Sequence, residues 1–288
     1  DVTEFRRVLF RSSFEYIGNS VGTPGTTPAT SLVLLQAQQK LNENAAVMAP
    51  RYATVNPAAN AALIEGMKGL FNPVSAISKQ FKNGMFGEGI LGYDELNMSQ
   101  SIKQFTTGSR TGTVTVSSTV TSEGSTTVVL TGLGSTTIKA GDVFTIANVY
   151  AVNPQTREST GSLYQFVALA DVTASTTASV TVPAMYSATQ ALATVDALPV
   201  ATAAVTFLGA ASTQYPQNLI YHRDAITFAT ADLLMPQGVD MASRQVHNGI
   251  SLRVVRQYDI NNDRLPCRID VLYGYSVIRP QMAVRLWG

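Results

Sequence analysis

Between residues 111 and 210 the chain holds 31 serines and threonines but only seven charged residues. That bias limits what the segment can become. Threonine's branched β-carbon suits a pleated strand better than a helix. Residues Thr113 to Ser117 alternate with period two, as a half-buried strand does. Further extended runs follow at Thr127–Leu130, Val143–Val149, Tyr164–Leu169, Ser179–Val182 and Ala203–Leu208, separated by Gly, Asn-Pro and Ser/Thr clusters. Short strands cut by such turn signals predict a small all-β barrel or sandwich. Its size and its own pattern fit a domain inserted in a host.

The flanks differ. Residues 1–110 hold 10 Lys+Arg and 8 Asp+Glu, and residues 211–288 hold 8 Arg, 6 Asp and no Lys. Loop residues Gly22 to Thr30 precede a predicted helix, Ser31 to Glu43, with Ser31 as cap and Leu32, Leu35 and Leu41 at partial helical spacing. A second helix is predicted over Pro57–Met67, capped by Asn56, with Pro57 at the first position, where a missing N–H costs nothing. A third is expected over Val74–Lys82, opened by Asn72 and Pro73. Phe14–Ile17, Ile90–Leu96 and Ile102–Phe105 read as short extended pieces, and Asp224–Leu234 fits either helix or strand. Ser251–Asp259 and Arg268–Ser276 read as strong strands, with Leu252, Val254, Ile269, Val271 and Tyr273 on alternate positions. The Asn- and Asp-rich stretch Ile260–Pro266 would join them into a β-hairpin. The host is therefore expected to be α+β and split by the insertion.

Charged residues make up 14% of the 288-residue chain, with a net charge of +1. Ordinary soluble domains carry about 25%. With 45% apolar residues the chain is not a disordered tail. It also lacks a run of about 18 apolar residues that would span a membrane. The surface must be polar without charge, or covered by other chains. The lone Cys267 has no internal disulfide partner and reads as a buried, inert thiol. Two histidines do not make a His-based metal site; coordination by carboxylates and carbonyls stays open.

The chain opens without Met, and residues Phe5 to Ser12, FRRVLFRS, resemble a translated sequencing-library adapter. Residues 1–13 are accordingly expected to be non-native, with the native N-terminus lost; the rival reading is a basic amphipathic arm.

Several motifs mimic catalytic or binding signatures and lack their context. Gly87, Gly89 and Gly92 match G-x-G-x-x-G, which binds pyrophosphate only between a strand and a helix N-terminus; here a turn is expected. Gly18, Ser20 and Gly22 match the nucleophile elbow, but the helix it needs after Ser20 is replaced by a Thr- and Pro-rich loop. An esterase built on Ser20 with His222 or His247 is thus the weakest alternative. His222, Arg223 and Asp224 mimic the kinase catalytic loop, whose metal-binding Asn is replaced here by Ala229. Asp259, Asn261 and Asp263 have calcium-loop spacing, but the required Gly and Glu are replaced by Arg264 and Asp270. They read as a turn with Asx hydrogen bonds. Asn97–Ser99 is a chance glycosylation sequon. The C-terminal arginines, interleaved with aspartates, read as salt-bridge partners and not as a nucleic-acid face.

An ordered set of segments carries a resemblance. Ile250–Gly274, ISLRVVRQYDINNDRLPCRIDVLYG, resembles the closing β-hairpin of major capsid (coat) proteins of tailed double-stranded DNA bacteriophages, in the podophage-type group with an inserted β-domain. Tyr221–Ala229 resembles the segment where the chain re-enters the shell fold. Lys139–Ala147 and Val149–Pro154 resemble strands of the insertion, and Leu70–Pro73, Phe86, Gly87 and Ile102 the part before it. The resemblance covers about residues 28–288. It implies an N-terminally truncated shell fold, with shell parts over 14–110 and 211–288 and the inserted domain over 111–210. It also implies a structural protein without catalytic, cofactor or metal residues. Identical copies would form hexamers and pentamers, with scaffolding and portal proteins as partners. Packaged DNA would be enclosed without sequence-specific binding, in a virion assembled in the host cytoplasm, with no membrane. A Thr/Ser-rich adhesion or tail-associated protein is the alternative from another class.

Overall fold

The structure is a computed structural model that describes residues 17–67 and 87–288. The adapter-like stretch, Phe14–Tyr16 and the expected helix Val74–Lys82 lie outside them. In chain order the elements are β1 (Ser20–Val21), α1 (Ser31–Glu43), β2 (Arg51–Val55), α2 (Pro57–Met67), β3 (Gly87–Ile90), β4 (Tyr93–Met98) and β5 (Gln104–Thr106). Then come β6 (Thr115–Val116), β7 (Ser125–Thr131), β8 (Thr136–Ile138), β9 (Val143–Val152), β10 (Ser159–Val167), β11 (Val172–Ala174), β12 (Thr177–Met185) and β13 (Val205–Phe207). The last are β14 (Gln214–His222), β15 (Ile226–Ala231), β16 (Met241–His247), β17 (Ile250–Arg256), β18 (Cys267–Val277) and β19 (Ala283–Trp287). The described chain is mostly β with few helices. It divides into two compact units, one of 1–225 with 279–288 and one of 226–278.

A seven-stranded sheet organises the larger unit, in the order β1-β19-β14-β2-β4-β3 with β5 also on β14. Strand β14 is its spine. Gln214–Pro216 pair with β5, Gln217–Tyr221 with β19 and Leu219–His222 with β2. Helix α2 begins as its sequence requires: Asn56 Oδ1 accepts the Ala59 N–H at 2.8 Å, and Asn218 Oδ1 holds the Asn56 N–H at 2.7 Å. Helix α1 keeps its predicted span, but its N-cap position is Thr30, one residue earlier than expected, and that side chain makes no capping bond. It buries Leu34, Ala37 and Leu41 and leaves Leu32 and Leu35 exposed. The spacing 34/37/41 forms one unbroken stripe, which the pattern built on Leu32 and Leu35 does not.

The stretch expected to be extended over Ile90–Leu96 is a hairpin. Leu91 and Gly92 both take positive φ, 55° and 77°, as a two-residue hairpin turn demands. Asp224–Leu234 resolves into a 3-10 turn, Arg223–Ala225, and then β15.

Residues 114–205 close around one hydrophobic core, from Val114 and Val116 through Phe144 and Phe166 to Val205. Phe144 stacks on Phe166 with ring centroids 5.5 Å apart and tilts against Phe207 at 5.2 Å. Strands run β10-β9-β13 and β12-β7-β6. A bridge between Thr115 and Ala204 joins the two sets. The Leu169 N–H to Thr181 O bond (2.9 Å) links the opposite margins, which makes the arrangement barrel-like. The six runs predicted in this region each contain a strand, though the first is only Thr115–Val116. The three-residue strands β8 and β11 escaped prediction because no period can be read over three residues.

At the root of this barrel lies a buried ion pair. Arg110 Nη1 meets Asp142 Oδ1 at 2.6 Å, with the two side chains 6% and 0% exposed. Asp142 also accepts the N–H groups of Gly108 (3.1 Å) and Lys139 (2.9 Å). Arg110 reaches Gly209 O at 3.1 Å and lies 4.5 Å from the Phe207 ring centroid. A second tie joins barrel and sheet. Gln165 Oε1 accepts the Ser20 N–H (2.7 Å) while its Nε2 donates to Ser20 O (2.9 Å), so one side chain stands in for a neighbouring strand. Gly18 allows this approach, since a Cβ there would lie 2.6 Å from Gln165 O.

Breaking a buried pair leaves an uncompensated charge. Arg110→Met should therefore lower stability by about 3–5 kcal/mol, read as a reduced urea midpoint by circular dichroism; a loss under about 1 kcal/mol would contradict the role given to the pair.

Candidate assembly surface

Within the smaller unit, strands run in the order β15-β18-β17-β16. The register sets Leu252 opposite Val271 and Val254 opposite Ile269. Tyr273 and Tyr275 face Thr230 and Phe228. Because side chains alternate across a strand, these residues share one face. The alternation read from the sequence is real, yet nothing in this unit covers it. Ile269 is 69% exposed, Leu252 40%, and Ser251 is the unit's one buried residue. Strand β16 forms one margin with most of its residues exposed.

The opposite face carries charge. Arg253 Nε donates to Asp270 Oδ2 at 3.2 Å, across directly paired positions, and Arg268 binds the other carboxylate oxygen. Arg244 pairs with Asp232 at 3.3 Å on the same side, whereas Arg256, which shares the alternation of Leu252 and Val254, pairs with Asp240 at 3.1 Å at the end of the apolar face. The aspartate and arginine interleaving does make ion pairs, as expected. Each exposed pair contributes at most about 1 kcal/mol, so they set register and solubility more than stability. The apolar face is a different matter. Burying one Val, Leu, Ile or Phe side chain is worth about 1.5–3 kcal/mol. Contiguous uncovered apolar surface of this kind marks an interaction site.

Cys267 corrects an expectation. It is exposed, at the start of β18 and opposite Arg256. A sheet with no core of its own has nowhere to bury a thiol.

The motif residues take places that do not combine. Ser20 lies in β1, parallel to β19, and is followed by a loop; its hydroxyl is buried without a partner among the described residues. His222 is buried and turned to Ala49 O and to the Asp224 N–H. His247 is exposed at the end of β16. Gly87 to Gly92 form strand and hairpin turn, followed by a strand and not a helix. Asp259 forms the expected Asx turn, accepting the Asn261 N–H at 3.0 Å and Asn262 Nδ2 at 2.7 Å. Asn97 of the sequon is half-buried in β4, opposite Thr54. Among the described residues no three His, Cys, Asp or Glu side chains gather as metal ligands, and no helix is long and apolar enough to cross a membrane. Sequence reasoning missed Arg110–Asp142 and Gln165–Ser20. The second joins positions 145 apart in the chain, and no local pattern announces either.

A family model described as P22 coat protein, gene protein 5, matches residues 29–288. The chain belongs to the P22 coat protein family, whose members are structural proteins of the phage capsid. Among solved structures it is similar to the CUS-3 coat protein I-domain, with 28% identity over 34% of this chain and 96% of that one, and a TM-score of 0.27. No curated protein matches.

Asp270 gives a pH test of the charged face. Hydrogen bonds from Arg253 and then Arg268 hold its carboxyl below the usual carboxylate range. The stabilisation is thus full above the ordinary value and is lost as pH falls through the lowered one, below about 4. Amide exchange of Arg253 and Asp270 should speed up, after intrinsic correction, only in that acid range. In Asp270→Asn it should already be faster at neutral pH. Unchanged exchange in the variant would count against the pairing.

Proposed function

We propose that this chain is a major capsid protein that self-assembles into the icosahedral head shell around packaged double-stranded DNA. One observation carries the reading beyond family membership: the apolar face on which Leu252 and Ile269 are exposed and Val254 and Val271 half-buried. A monomer gains nothing from exposing it. In a closed shell it becomes contact, repeated in every hexamer and pentamer. The low charge content, 14%, fits the same role, because interface cores are depleted of charged residues. With a net charge of +1 the chain does not supply strong phosphate neutralisation. The shell would hold its DNA without sequence-specific contacts. Scaffolding and portal proteins are the further partners, and assembly takes place in the host cytoplasm. The role is architectural and not catalytic.

In this reading residues 111–210 are an inserted domain, and 14–110 with 211–288 are the host fold. The single core over 114–205 supports the division. The adhesion alternative is not favoured, since the family match runs across the Thr-rich region and both flanks alike.

The test is Ile269→Asp in the full-length gene, expressed with its scaffolding protein. The native chain should give shells by electron microscopy. The variant should stay as soluble subunits with an unchanged circular dichroism spectrum, because a charge cannot be buried unpaired in an apolar contact. Normal shells from the variant would overturn the role of this face. Deleting 112–210 should separately impair folding or shell geometry, and normal shells from that deletion would refute the role of the insertion.

A further inference from the structure

The chain leaves the larger unit after Ala225 and re-enters it at Arg279. The exit is made by the 3-10 turn Arg223–Ala225, directly after His222 at the end of β14. Three backbone and side-chain bonds hold this turn. Arg223 N–H donates to Pro50 O at 3.3 Å, and Arg279 N–H donates to Ala225 O at 3.3 Å. The third is unusual: Asp224 N–H donates to His222 Nδ1 at 3.2 Å.

That bond fixes the state of the imidazole. If Nδ1 accepts, the ring proton sits on Nε2, which then donates to Ala49 O, 3.2 Å away. His222 is therefore neutral in this arrangement and uses both nitrogens, with only 3% of its side chain exposed. A second proton can go only to Nδ1. There it faces a backbone N–H, and two donors cannot share one bond. One acceptor stands near: Asp224 Oδ2, 3.8 Å from Nδ1, on a side chain 69% exposed. The other charged groups around the ring do not compete for the proton. Arg51, the register partner of His222 on β2, turns its guanidinium to Asn42 Oδ1 and to the carbonyls of Val47 and Ala46. Asp94 accepts the Arg51 N–H at 2.7 Å. Arg223 is exposed.

We propose that His222 is an acid-sensitive pivot in the turn that carries the chain out of the seven-stranded sheet. In the neutral form it holds the Asp224 backbone. Protonation at Nδ1 releases the Asp224 N–H and engages the Asp224 carboxylate instead, so the same two residues hold the turn in two different ways. Histidine is the side chain whose ordinary titration range makes such an exchange available near neutral pH. Its consequence for assembly rests on the function proposed above; the exchange itself does not.

The experiment uses the unassembled full chain, so it can fail independently of any shell. Long-range ¹H–¹⁵N spectra of the imidazoles report tautomer and charge directly. The chain has only two histidines, and exposed His247 serves as an internal reference. His222 should appear as the Nε2–H tautomer at neutral pH and gain its second proton, at Nδ1, on acidification. Over the same range the protection of the Asp224 amide, corrected for intrinsic exchange, should fall about tenfold. His222→Gln keeps a donor and an acceptor but takes no proton, and its Asp224 protection should not change with pH. The proposal is overturned if His222 stays neutral on acidification, or if it protonates while the Asp224 amide stays protected. It is equally overturned if the Gln variant loses protection in step with the native chain. Should that variant not fold, the two measurements on the native chain decide.

Discussion

Asp142 has no exposure to water, and it collects the Arg110 guanidinium with the N–H groups of Gly108 and Lys139. Three remote stretches of chain meet there: 108–110 entering the barrel, 139–142 between two of its strands, and 207–209 leaving it, through Arg110 on Gly209 O and Phe207. A carboxylate in such a place is tolerable only when its acceptor capacity is filled. The pair therefore makes the positions of these stretches mutually dependent. The barrel core and the seven-stranded sheet are then joined at one end by ionic contact and along one side by Gln165 on Ser20.

The two units solve the problem of apolar side chains in opposite ways. The barrel turns Val114, Phe144, Phe166 and their neighbours inward and places threonines outside, so it needs little charge to stay soluble. The smaller sheet carries Leu252, Val254, Ile269 and Val271 on one face and the Arg253–Asp270 pair on the other, and buries almost nothing by itself. Low overall charge is thus the sum of two different economies. One is a hydroxyl surface that water wets directly. The other is a face that nothing in its own unit covers.

How much of this was legible depended on the range of the interaction. Pro57–Met67 was readable to the residue because Asn56 and Pro57 act within one turn, and the Asp259 turn for the same reason. The alternation of Leu252, Val254, Ile269 and Val271 was equally plain, and with it the material of the candidate surface. What the pattern does not say is whether the face is covered within the chain: Cys267 reads as buried from its residue type and is exposed. In α1 the choice between the Leu32/Leu35 side and the Leu34/Ala37 side was made by packing, not by propensity. Arg110 with Asp142 and Gln165 with Ser20 are single residues joined by tertiary closure, and their sequence neighbourhoods carry no trace of it.

Thr107 and Thr213 adjoin where β5 runs beside β14: the Thr107 N–H binds Thr213 O at 3.1 Å, and the Thr213 N–H returns to Thr107 Oγ1 at 3.1 Å. Seen from the sheet, everything between them is an excursion that begins and ends at one point. The entropy of closing such a loop grows only slowly with its length. The strands beneath it therefore bridge the same short distance whatever length of chain lies between them.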